Sequence, residues 1–220
     1  MGLFSKRKRI NVVDMPELMC NVILTNCWNM EIMNIVNNTL NNGPSNLKNG
    51  QFRGVTVLSA YGYAMMRLHL VSRSDIALIE TLISQSREMF PDEFALRTLY
   101  EYNENDKQNV RKMLKQSYNN AYQVLIEGAN LPINEMANYL SKQFIIDLFD
   151  GTSILDEELE IQINQNTSFI NNVMGDLFHK LGNFSDNIKI SKNKNSDPEY
   201  KSYRESMKEK QELFDKLFNK

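Results

Sequence analysis

Histidine, cysteine and tryptophan are nearly absent from this 220-residue chain, which has two, two and one of them. The histidines are His69 and His179, and no repeated Cys/His metal spacing is present. No glycine-rich phosphate loop and no nucleophile elbow interrupts the pattern. Without a poised nucleophile, base or metal cluster, the composition points away from an enzyme. Cys20 and Cys27 lie seven positions apart in one predicted helix, roughly 10 Å along its axis and too far for a disulfide within it. That cysteine usage predicts a reduced, cytoplasmic protein. Long apolar runs are missing too: no stretch approaches the roughly 20 residues of a membrane-spanning helix. The N-terminal charges are followed by no apolar run, so no secretory signal is expected.

The overall charge of −2 conceals an uneven distribution. Residues 1–9 hold Lys6, Arg7, Lys8 and Arg9 and no acid, and residues 189–220 hold nine cations against six acids. The ends therefore carry +4 and +3, which leaves −9 on residues 10–188. An acidic body with two basic ends offers no global field for nucleic acid, which is not an expected partner. The basic ends could still contact an anionic membrane surface, at about 1 kcal/mol per cation. Gly2 follows Met1, but Lys6 stands where a myristoylation signal wants Ser or Thr.

What is abundant is helical periodicity. One long helix is expected from Asp14 to the Asn42-Gly43-Pro44 stop, apolar on two faces, with Glu31 as its only charge after Leu18. Such a helix reads as the central helix of a bundle or half of an interface. Residues 51–73 follow helical spacing, although Val55-Thr56-Val57 is β-branched. Further helices are expected from Asp75 to about Met89, with Pro91 as a break, from Asp106 to Glu127, from Pro132 to Phe149, and from Phe169 to Leu181. Leu159, Ile161 and Ile163 alternate as in a strand. The fold class is therefore all-α, an irregular bundle of seven or eight helices with room for a short β element near 53–59 or 158–164. The expected organisation is a basic flexible tail at 1–10 and a helical domain at 11–182. A lysine-rich linker at 183–197 and a C-terminal amphipathic helix at 198–220 follow.

Candidate sites are few. Asp176 and His179 give one carboxylate-x-x-His unit, but helical di-metal sites need that pair twice and His69 is preceded by Met66. His69 lies near Tyr61, Tyr63 and Asp75 in sequence and could act as a base, yet no activated nucleophile accompanies it. Residues 134–149 resemble a helix-turn-helix at their start, but the second helix would be Gln143-Phe144-Ile145-Ile146-Asp147-Leu148-Phe149. That is too apolar to read base edges.

The leading functional expectation is a non-enzymatic helical interaction, adaptor or regulatory protein of bacterial or phage origin. It would recognise a protein partner, or itself as a homo-dimer, through apolar helix faces. Trp28, Met30, Met33, Met207, Phe214, Leu217 and Phe218 are the candidate anchors, because Trp and Met are enriched at interface centres. The alternatives are a membrane or nucleic-acid contact through the basic N-terminal and C-terminal segments, residues 1–9 with Lys6, Arg7, Lys8 and Arg9 and residues 189–220, and an enzyme using His69 or His179. No cofactor or metal is expected. Removing residues 198–220 should weaken assembly, and an unchanged solution mass by light scattering would refute that role.

Overall fold

A computed structural model describes residues 7–40, 46–98, 102–152 and 154–193. Among these, seven helices and two short strands follow one another. They are β1 (Lys8–Asn11), α1 (Met15–Cys27), α2 (Met30–Leu40), α3 (Asn46–Val71), α4 (Ile76–Arg97), α5 (Glu104–Gly128), α6 (Ile133–Phe149), α7 (Asp156–Asn187) and β2 (Ile188–Ser191). The fold is an all-α bundle with a minor two-stranded parallel sheet.

The central helix is α3, not the segment expected to fill that place. Every residue from Gly54 to Met66 is buried, and α3 packs against all six other helices. Its composition explains the position. Between Arg53 and Arg67 it carries no charge, and Gly54, Ala60, Gly62 and Ala64 let neighbouring helices approach closely. A β-carbon on Gly62 would stand 3.0 Å from Ile23 Cδ1 and 3.1 Å from Cys27 Sγ, so α1 is seated directly on this glycine. The β-branched Val55-Thr56-Val57 lies within the helix, because complete burial among helices outweighs a weak strand preference.

The expected 14–42 helix is divided at Trp28 and Asn29. Asn29 Oδ1 accepts hydrogen bonds from the backbone N–H groups of Glu31 (3.0 Å) and Ile32 (3.1 Å), capping α2 and ending α1. Pro91 does not break α4. The helix continues through it, with Phe90, Pro91 and Phe94 all buried. Phe90 meets Tyr63 edge-on at 6.3 Å, and Phe94 meets Trp28 at 5.7 Å. This packing offsets the one backbone hydrogen bond that proline cannot make.

Residues 158–164 are helical as well. Leu159 and Ile163 stand four apart against the core, Gln162 Nε2 donates to Glu158 Oε1 at 2.7 Å, and Asp156, Glu157 and Glu158 favour the positive N-terminus of α7.

The strands form where a tail and a linker were expected. Asn183–Asn187 completes α7, and Ile188–Ser191 pairs in parallel with Lys8–Asn11. Ile10 and Ile188 are buried, Val12 N donates to Ser191 O at 2.9 Å, and Asn11 Nδ2 donates to Asn193 O at 2.6 Å. Burial of two isoleucines favours the ribbon together with its ladder hydrogen bonds, which lysine content alone would not suggest.

The two glycine environments differ in a measurable way. Gly62→Val should cost about 1–3 kcal/mol, because α1 leaves no room for a branched side chain. Gly175 is exposed in mid-α7 with no heavy atom within 4 Å of its added β-carbon. Gly175→Ala should therefore stabilise by about 0.5–1 kcal/mol. Denaturant unfolding of both variants checks the pair.

Candidate functional site

Trp28 and Met30 flank the break between α1 and α2, and both are exposed, at 37 % and 58 %. The break explains Trp28: its extended backbone (φ −76°, ψ 91°) carries the indole out of the α1 stripe and against Phe94. Leu96, near the C-terminal end of α4, is 60 % exposed. Arg97 pins that end to α1, donating to Thr25 Oγ1 (3.1 Å) and Asn21 Oδ1 (3.2 Å). The outward positions of this junction are Thr25, Trp28, Met30, Glu31, Asn34 and Asn38, and Glu31 is the only charge among them.

Met33 belongs to the core instead. It is 2 % exposed, beside Gly54 of α3, and no partner can reach it without opening the bundle. Its helical position, one turn from Met30, faces inward. Arg7, Lys8 and Arg9 are exposed, the last two within β1. Lys6, Met207, Phe214, Leu217 and Phe218 lie outside the described residues.

The two histidines do not meet the groups expected to assist them. His69 is partly buried beside Phe178, with ring centroids 4.6 Å apart, and burial lowers its pKa. His179 is exposed and shares a 2.9 Å contact with Asn183 Nδ2. Asp176 pairs with Lys180 at 2.6 Å rather than with His179. The phenols of Tyr61 and Tyr63 point away to α6 and α4, where they bond Asp147 and Ser86. Cys20 and Cys27 are buried, and loss of solvent pushes both thiols up to about 12, so they stay protonated. Among the described residues, no three His, Cys, Asp or Glu side chains converge as metal ligands.

A cleft of about 610 Å³ with mixed polar and apolar walls opens between α5 and the C-terminal end of α6. Sequence reading missed it because its residues come from α2, α3, α5, α6 and the turn after α6 and form no linear motif. Arg53 donates from Nε to the carbonyl of Leu148 and from Nη2 to that of Asp147 at 3.4 Å, placing a cation on the negative end of α6. Asp147 accepts from Tyr61 Oη at 2.9 Å and from Asn120 Nδ2 at 3.2 Å. Burial raises the pKa of Asp147, and burial together with that carboxylate raises the phenol of Tyr61. Gln116 Nε2 donates to Asp150 Oδ2 at 3.2 Å on the cleft wall. These groups are engaged with one another and with backbone, so the network clamps α3, α5 and α6 together.

No known protein family, curated protein or solved structure matches this chain.

The clamp has a pH signature. Burial raises the folded-state pKa of Asp147 above its ordinary 3.8, so the folded protein holds this proton more tightly than the unfolded chain. The stability due to that proton is fully present below pH 3.8 and is lost as pH rises through the raised value. Asp147→Asn removes this dependence. The stability of the variant relative to wild type should therefore increase with pH across that window. Urea unfolding at a series of pH values checks it, and parallel curves would refute the assignment.

Proposed function

We propose that this chain is a non-enzymatic helical interaction protein whose partner lays an apolar helix face over the α1–α2 junction. The observation that carries the reading is the pairing of exposed Trp28 and Met30 with a surface almost free of charge. Charged groups are depleted from interface centres because desolvating them is costly, while Trp and Met supply large or adaptable apolar contact. Other helices differ: Glu104, Lys112, Lys115 and Glu127 all stand exposed on α5. Trp28 is also steadied by Phe94, so little side-chain freedom is lost on binding. A partner face of the same character fits best, and a second copy of this chain carries one.

Met30→Glu tests the reading without disturbing the core, since Met30 is mostly exposed. It should leave the thermal midpoint unchanged and weaken assembly roughly tenfold or more, because the interface would bury an unpaired carboxylate. Sedimentation of wild type and variant reads self-association. Co-purification from the native host, compared between the two, reads a different partner. A monomer that recovers the same proteins with either version would sink the proposal.

A further inference from the structure

The two basic segments of the sequence, far apart in the chain, come together in the fold. The parallel register places Arg9 beside Lys189, both exposed, at the middle of the ribbon. Arg7 precedes one end and Lys192 follows the other, so exposed cations extend over roughly 13 Å or more of strand. Like charges side by side destabilise a strand pair. Among the described residues, Arg9, Lys189 and Lys192 have no carboxylate within ion-pair distance, and nearby Asp186 is held by Arg73. Asp14 and Glu17 follow at the start of α1. The rest of the chain is acidic, so this ribbon is a local reversal of sign. Immediately beyond it Val13 is 80 % exposed, an apolar side chain at the rim of a cationic patch.

We infer that the β1–β2 ribbon is a docking surface for anionic phospholipid headgroups. Arg7, Arg9, Lys189 and Lys192 supply charge complementarity, and Val13 reaches the acyl boundary. A membrane fits these residues better than a nucleic acid does. The ribbon offers no aromatic ring for base stacking, and the Asn11 side chain is occupied by Asn193 O and Val13 N. The acidic body is repelled by the same surface, so the protein approaches ribbon first, and attachment is reversible and salt-sensitive. This surface is separate from the α1–α2 junction and stands or falls independently of it.

Co-sedimentation of the full chain with vesicles tests the assignment. Binding is expected to vesicles of phosphatidylserine and phosphatidylcholine, not to phosphatidylcholine alone, and should vanish at high salt. The double variant Arg9→Gln/Lys189→Gln should lower the partition coefficient roughly 25-fold, about fivefold per cation. Both side chains are exposed, so the thermal midpoint should hold or rise. Lys112→Gln/Lys115→Gln makes the same change in net charge on α5 and should alter binding by no more than about twofold, since these sites lie outside the ribbon. Absence of a phosphatidylserine preference would overturn the inference. So would equal losses in the two double variants, or tighter binding to duplex DNA than to the anionic vesicles at one salt concentration.

Discussion

The rest of the structure depends on burying one helix on every side. An ordinary surface helix hides a stripe and leaves its opposite face to water. From Gly54 to Met66, α3 has no such face, and six helices supply the cover. Three requirements follow from that constraint. Side chains must be small where neighbours come close, as at Gly62 under Ile23 and Cys27. The two large phenols of the segment must place their hydroxyls, which Tyr61 does against Asp147 and Tyr63 against Ser86. Charges must wait for the ends of the segment. Arg53 reaches the carbonyls that close α6, and Arg67 pairs with Glu80 while lying over the Tyr122 ring at 3.5 Å.

That central demand distributes roles to the surrounding helices. The seats of α1 and α2 against α3 take their most apolar positions, including Met33, and leave Trp28 and Met30 at the one point where the backbone turns. The outward face there is polar through asparagine rather than through charge. By contrast, α4 and α5 meet water with ion pairs, such as Lys107 with Asp92 at 2.6 Å and Arg111 with Glu104 at 2.9 Å. The proposed protein interface and the proposed lipid surface thus differ in kind: one holds little charge, and the other concentrates it where the two strands pair.

Helical periodicity made most of the bundle legible, because apolar residues at three- and four-residue spacing face a core whatever that core is. The misreadings share a cause. Asn29 looked like one more asparagine until its carboxamide met the N–H groups of Glu31 and Ile32. Pro91 looked like a stop because its local cost is visible, whereas the aromatic packing of Phe90 and Phe94 is not. Leu159, Ile161 and Ile163 alternate as a strand would, yet only the first and last pack against the core, while Ile161 is exposed. The cleft around Asp147 could not be read at all, since Arg53, Asn120 and Asp147 are joined only by the crossing of α3, α5 and α6.

By itself, then, the sequence determined the helical class, the scarcity of catalytic side chains, the two basic ends and Trp28 and Met30 as candidate anchors. Each of these is local, set by composition or by spacing along one element. Tertiary structure decided which helix is central, that Met33 is buried while Met30 is not, and that the tail and the linker pair as strands. It also placed Arg9 beside Lys189. These outcomes turn on which surfaces meet, and that is fixed by the free energy of the whole packed arrangement, to which no single segment holds the answer.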